Sequence, residues 1–210
     1  MDAQSIAEVR AGWEADFQRH ARKEPMPGMP VLPDVPAGRY TDPRFYVLER
    51  QHLWRKRWVI AGHADEVPEK GSYKLWHHLG DPILLVRGKD DRIRAFYNTC
   101  RHRGGSVVKD ECGRAATLSC IYHRWTYDLT GQLMSVPFEH EFPGLDKSQR
   151  SLLPIRCEMW GQLIFINLDR DAGPLLDYLA PLVPDFNDFA LDRVKLIKRT
   201  VQDVDCNWKV

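Results

Sequence analysis

Apolar residues recur at helical spacing near the start of the chain and at strand-like spacing through its middle. Ile6, Val9, Trp13 and Phe17 fall on one face of a helix, and Ser5-Ile6-Ala7-Glu8 has the form of a capping box. The pattern predicts a first amphipathic helix there. Five prolines and two glycines between Glu24 and Gly38 break any period, which predicts an extended arm laid over a surface. Thr41-Asp42-Pro43 reads as a helix start, because proline is tolerated in the first turn. The stretch Arg44 to Arg57 is then a second helix, burying Phe45, Leu48, Trp54 and Trp58.

After Trp58 the apolar runs shorten and turn residues divide them. Trp58 to Ala61, Ser72 to His77, Pro82 to Arg87 and Arg92 to Asn98 predict a small antiparallel sheet assembly. Gly88-Lys89-Asp90-Asp91 and Asp128-Leu129-Thr130-Gly131 are expected hairpin turns. Ile155 to Trp160 and Leu163 to Leu168, joined by Gly161-Gln162, form a further hairpin. Beyond Asn167 come a helix-like segment, Pro174 to Leu182, and a strand-like run, Val194 to Val204. The fold class is mostly β with flanking helices.

Composition narrows the setting. The 210 residues suit one domain and part of a second. Thirty basic against twenty-nine acidic side chains give no ground for binding nucleic acid or an anionic membrane wholesale. Neither a secretory signal nor a long apolar span is visible, so the cytoplasm is the default expectation.

The chemistry concentrates in two short pairs, Cys100-Arg101-His102 and Cys120-Ile121-Tyr122-His123, separated by seventeen residues. Each half supplies one thiolate and one imidazole, so two cysteines can hold one iron and two histidines the other in a 2Fe-2S cluster. Neutral imidazoles in place of two thiolates remove negative charge, and an added electron then meets less repulsion. A tetrahedral zinc site takes the same residue types, but common zinc modules pair cysteine with cysteine and histidine with histidine. A Cys100 to Cys120 disulfide is disfavoured in a reducing compartment. Cys112, Cys157 and Cys206 show no regular spacing and read as ordinary core or surface thiols.

The spacing of these pairs, with Asn98-Thr99 before the first cysteine, Arg103-Gly104 after the first histidine and Trp125-Thr126-Tyr127-Asp128 after the second, resembles the Rieske domain of non-haem iron oxygenases, the aromatic ring-hydroxylating oxygenase alpha subunits and their relatives. The resemblance runs from about Gly38 to Val210. It implies a Rieske-type antiparallel β-sandwich plus the first strand or strands of a truncated α+β catalytic domain. The implied organisation is an N-terminal helix and Pro-rich arm at 1–39, a Rieske 2Fe-2S domain at 40–170, and a linker with the start of a catalytic domain at 171–210. In that family an Asn-Trp-Lys stretch, here Asn207-Trp208-Lys209, opens the catalytic domain shortly before the mononuclear Fe(II) ligands, which are not in this chain. No catalytic residue is therefore assigned.

By the same resemblance Cys100, His102, Cys120 and His123 bind the cluster, with the imidazoles as the electron exit. A ferredoxin or flavoprotein reductase would be the donor. The full-length protein would be a homo-oligomer of trimer-like form or an alpha/beta assembly, using O2 for dioxygenation or monooxygenation of an organic substrate. A standalone Rieske-type ferredoxin or electron carrier is the alternative, though forty or so residues beyond Leu168 exceed what a small carrier needs. The cysteines that bridge the two cluster loops in respiratory Rieske proteins are absent, placing the potential at the low end, roughly −150 mV.

Around the ligands, Gly104 and Gly105 permit tight loops and close approach of backbone N–H groups to sulfur. Trp125 and Tyr127 alternate with Thr126 and are expected as walls of the sandwich. The family pattern Cys-Pro-Tyr-His-Gly-Trp stands here as Cys-Ile-Tyr-His-Arg-Trp, so Arg124 puts a permanent cation beside a ligand. With Arg101, Arg103 and Lys109 it either forms a positive rim for docking an electron donor or pairs internally with Asp110, Glu111 or Asp128. Glu139-His140-Glu141 reads as a solvated acidic turn rather than an iron site.

Overall fold

In the computed structural model, which describes residues 2–30 and 32–210, the chain divides into two units, Met1–Thr41 and Asp42–Val210. The first holds helix α1 (Ala3–Ala21) and a short helix α2 (Gly38–Thr41). Asp2 caps α1, its carboxylate accepting the Ser5 amide at 2.8 Å, so the helix begins ahead of the expected box at Ser5. Ile6, Val9, Trp13 and Phe17 lie along this helix exposed. Among its described residues the arm that follows has no strand, and Val31 lies outside them.

The second unit opens with α3 (Pro43–Glu49), capped by Asp42 and carried on by a π-helical turn over Arg50–Trp54. The expected burial of Leu48 is corrected here: Leu48 is exposed and Glu49 is buried. Successive helical residues point about 100° apart, so only one of the two can face inward. Glu49 does so because Lys209 Nζ at 2.8 Å and Trp208 Nε1 at 3.2 Å both donate to its carboxylate.

Ten strands follow: β1 (Val59–His63), β2 (Ser72–Trp76), β3 (Ile83–Arg87), β4 (Ile93–Tyr97), β5 (Cys112–Arg114), β6 (Leu118–Ser119), β7 (Thr126–Tyr127), β8 (Leu133–Ser135), β9 (Pro154–Trp160) and β10 (Leu163–Asn167). They form a seven-stranded antiparallel sheet, β1-β10-β9-β4-β3-β2-β5, and a three-stranded sheet, β6-β7-β8. The period-two alternation of β3 separates two cores. Leu84 and Val86 join Tyr73, Leu75 and Phe96 in a core shared with Leu118, Trp125, Tyr127 and Leu133 of the small sheet and its loops. Ile83 and Leu85 point the other way, against Trp76, Ile155, Ile164 and Ile166. Each such side chain contributes about 1.5–3 kcal/mol on burial. The first core carries the cysteines at its edge.

The expected hairpin of β9 and β10 pairs Trp160 with Leu163 across Gly161-Gln162. Helix α4 (Leu175–Leu179) seats Leu175 and Leu179 beside Trp58 and Phe165, and α5 (Val183–Phe186) follows. The strand-like run from Val194 to Val204 does not form a strand. A strand needs a ladder partner, and no strand pairs with this run among the described residues; Ile197 is 93% exposed. The segment is tied down instead by the Leu196 amide to Asp65 (3.1 Å) and by Arg199 to Glu66 (2.9 Å).

Candidate functional site

Two loops of nearly the same backbone design meet at the edge of the first core. In each, the amide four residues after the cysteine donates to the cysteine carbonyl: Gly104 to Cys100 at 3.0 Å and Arg124 to Cys120 at 3.1 Å. In each, the cysteine amide donates five residues ahead: Cys100 to Gly105 at 2.8 Å and Cys120 to Trp125 at 2.9 Å. The fourth residue must take positive φ to close such a turn, +74° at Gly104 and +58° at Arg124. Glycine does this freely, whereas arginine carries a cost of about 1 kcal/mol or more. The Ile121 amide to the Ser106 carbonyl, 3.3 Å, joins the two loops.

This arrangement sets the expected ligands in two pairs, Cys100 beside Cys120 and His102 beside His123, while among the described residues no three His, Cys, Asp or Glu side chains are grouped to hold a single metal ion. Cys100 and Cys120 are 3% and 2% exposed, and both are free thiols. The His102 and His123 residues are half-buried, their ring centroids 4.7 Å apart. Trp125 stacks on His102 at 4.8 Å and 8°, and Phe142 meets both rings edge-on, so the expected wall role of Trp125 is specifically a wall against an imidazole. Tyr122 packs on His123 with centroids 3.7 Å apart. Gly105 lies close in: a Cβ there would sit 3.4 Å from Cys120 Sγ. Gly104 and Arg103 are exposed on the outer turn.

Two residues whose role the sequence reading missed hold these loops. Asn98 is buried, accepts the Val107 and Val108 amides at 3.0 Å each and donates to the Val108 carbonyl at 2.8 Å, so it ties the chain entering the first loop to the chain leaving it. Tyr127 is fully buried; its hydroxyl accepts the Arg101 amide at 3.0 Å and lies 3.2 Å from Cys100 Sγ, to which it is the donor once the sulfur is a thiolate. The available signals were Asn98 beside the first cysteine and the period of two that puts Tyr127 on the face of Trp125.

The donor chemistry fits a metal cluster. Burial pushes the Cys100 thiol up, against the lowering effect of the Tyr127 hydroxyl and the His102 amide, so a thiolate there needs a cation beside it. Burial, then His123, then Arg103 depress His102, which keeps its imidazole neutral as a ligand must be. His102 Nδ1 is buried without any hydrogen-bond partner, an orphan that a metal bond would satisfy. Burial, followed by Cys100, raises the Tyr127 phenol, which therefore remains a donor to sulfur.

Other expected features separate from this centre. Glu139-His140-Glu141 is an exposed turn whose Glu139 pairs with Lys147. Cys112 and Cys206 are exposed free thiols, and burial pushes Cys157 up to about 12. Among the described residues, no helix is long and apolar enough to cross a membrane.

Comparison with known proteins agrees with the geometry. Residues 57–152 match the Rieske [2Fe-2S] domain family. The chain is 38% identical over 193 residues to the chlorobenzene dioxygenase subunit alpha of Cupriavidus sp. (strain PS12), covering 87% of this chain and 43% of that protein. It is 33% identical over 176 residues to the glycine betaine monooxygenase oxygenase subunit of Pseudomonas aeruginosa (strain UCBPP-PA14), covering 84% and 41%. Among solved structures, the apo form of the quaternary ammonium Rieske monooxygenase CntA superposes with a TM-score of 0.78 at 30% identity, covering 84% of this chain and 52% of that one. The chain thus spans less than half the length of these curated relatives. These relatives are named as oxygenase subunits; residues 57–152 of this chain form a Rieske [2Fe-2S] domain, and the chain is similar over most of its length to Rieske oxygenase alpha subunits.

Proposed function

We propose that this chain is the electron-accepting part of an oxygenase alpha subunit. With a cluster bound, the chain would accept electrons from a ferredoxin or flavoprotein reductase and hand them to a mononuclear iron whose ligands are not identified among these residues, for O2-dependent hydroxylation of an organic substrate. In this reading Cys100 and Cys120 hold the inner iron, and His102, through Nδ1, and His123 hold the outer one. The observation that carries it is the pair of matched loops, which present two buried thiols and two adjoining imidazoles, one with an orphaned nitrogen. When bound, the cluster supplies one-electron transfer.

The chain's own residues prepare that transfer. Tyr127 donates to Cys100 and steadies charge arriving on sulfur. Trp125 and Phe142 exclude water from one side of His102 and fix its ring plane. Asn98 keeps the first loop closed. The proposed division of the chain is arm at 1–39, Rieske domain at 40–170, and linker with the threshold of the catalytic domain at 171–210. The same reading places the protein in the cytoplasm as a trimer-like homo-oligomer or an alpha/beta assembly.

Relatives are named for chlorobenzene, benzene and biphenyl dioxygenation and for glycine betaine monooxygenation, so ring and quaternary-amine substrates both remain within the class. The coding sequence past Val210 tests the reading. The expected result is an in-frame pair of histidines and a carboxylate spaced for iron; a stop codon directly after Val210, with a reducible protein, would overturn it.

A further inference from the structure

We propose that a cleft walled by Trp54, Trp76 and Trp208 binds a small aromatic monocarboxylate, its ring against the indoles and its carboxylate at Arg199 and His63. The inference needs no iron and goes beyond the electron-transfer reading.

Place and shape are the first argument. The cleft holds about 660 Å³, within the roughly 300–1,000 Å³ usual for small-molecule sites. Among its lining residues, Ala61 and Trp76 belong to the core on the opposite face of β3 from the cysteines. Trp54 and Trp208 meet edge-on, with ring centroids 4.8 Å apart at 76°. Tyr46, Ile60 and Trp208 line the cleft and stay exposed, a grouping of apolar surface that marks a binding site more often than a bare monomer face. Indole rings fixed at an angle to one another accept a flat aromatic ring.

Charge is the second. Glu66, at the polar end of the lining, pairs with Lys74 and accepts from Arg199 Nη1 at 2.9 Å. Burial opposes its ionisation, but Lys74, the His63 amide and Arg199 hold its carboxyl below the ordinary range, so it is a carboxylate. Asp65 beside it pairs with Lys195 at 3.6 Å. Two acids, Asp65 and Glu66, thus face three cations, Lys74, Lys195 and Arg199, and one positive charge is left over. Arg199 Nη2 also donates to His78 Nε2 at 3.1 Å, so these contacts occupy two of its five N–H donors. A planar guanidinium with donors to spare suits a carboxylate.

An orphaned donor is the third. His63 is 7% exposed, and its Nδ1 accepts the Asp65 amide at 3.1 Å, which puts the ring proton on Nε2. That nitrogen is buried with no hydrogen-bond partner among the described residues. A buried donor without an acceptor is unfavourable, and a carboxylate oxygen supplies one. The fourth is the run from Val194 to Val204, which lacks a ladder partner yet gives Leu196 and Arg199 to the lining. A ligand seated against both braces that run.

The test uses the 210-residue chain with its cluster, 2-naphthoate as probe, and 2-naphthamide as the same ring without the charge. Calorimetric titration of the wild type is expected to show one site for 2-naphthoate with Kd on the order of 0.1–1 mM, and 2-naphthamide binding about tenfold more weakly or worse. Arg199→Gln is expected to weaken the acid about tenfold and leave the amide unchanged. Leu196→Trp, which fills the cleft, should abolish both, and Lys89→Gln, in a distant hairpin turn, should track the wild type. Saturating 2-naphthoate should also slow hydrogen exchange at the Leu196 amide by about threefold or more. Thermal melts check that each variant is folded, and the comparison of acid with amide needs no variant. An absence of saturable binding, equal affinity of the wild type for acid and amide, or undiminished 2-naphthoate binding in either variant would overturn the proposal. Binding that disappears when the polypeptide is extended past Val210 would assign the cleft to further protein and overturn it as well. Each of these results leaves the cluster reading intact, since none of them depends on iron.

Discussion

Replacing Tyr127 by phenylalanine removes one atom from a fully buried site and should change both potential and stability in ways the geometry fixes. The hydroxyl donates to Cys100 Sγ at 3.2 Å, and this bond strengthens when the cluster gains an electron and its sulfurs become more negative. A hydrogen bond to a charged group is worth about 1.5–3 kcal/mol, of which roughly 1 kcal/mol separates the two oxidation states. At about 59 mV per tenfold for a one-electron couple, that is a fall of about 40–50 mV in midpoint potential. The same change strips the Arg101 amide of its acceptor at 3.0 Å, costing about 1–2 kcal/mol of stability. A dye-mediated redox titration followed by visible circular dichroism reads the first effect, and urea unfolding the second. Tyr97→Phe, on the opposite face of the large sheet, is the control. A potential for Tyr127→Phe that rises, or stays within about 10 mV of wild type, would refute the reasoning.

Three further outcomes follow from single contacts. Asn98→Ala breaks three buried hydrogen bonds and should cost about 3 kcal/mol in urea unfolding, whereas a loss under about 1 kcal/mol would mean that water replaces the amide. Gly131→Ala meets the Phe96 ring at a backbone φ of +87° and should destabilise by about 2–3 kcal/mol; an unchanged Tm would contradict that packing. Lys209 and Trp208 hold the buried Glu49 carboxyl below its ordinary 4.5, so the contact stabilises above that pH and is lost as pH falls through the lower folded value. The fluorine resonance of 5-fluorotryptophan-labelled Trp208 should therefore shift only below pH 4.5 and lose that transition in Glu49→Gln; a transition persisting in the variant would assign it to another group.

How much was legible in the sequence depended on whether the deciding interaction was local. The hairpin at Gly161-Gln162 and the helix start at Asp42-Pro43 are set by neighbours in the chain, and they formed where the pattern put them. Leu48 was misread because Glu49 turns inward only when Lys209 and Trp208 arrive from the far end of the sequence. The run from Val194 to Val204 has strand-forming residues but no ladder partner among the described residues, and propensity alone does not make a strand. At the site, residue types and spacing picked out the four candidate ligands. The matched backbone of the two loops, the staple made by Asn98 and the hydroxyl of Tyr127 against sulfur needed three dimensions. The conformational demand at Arg124 was visible only as a glycine missing from a familiar pattern.

The central claim is that Cys100, Cys120, His102 and His123 hold a mixed-ligand cluster. Mössbauer spectroscopy of the iron-57-enriched chain, with iron and acid-labile sulfide assayed on the same sample, tests it most directly. The expected result is the two irons and two sulfides of a [2Fe-2S] domain, with the irons in unlike environments and the added electron on the one held by imidazoles. Two equivalent irons, or a colourless chain containing zinc, would contradict it.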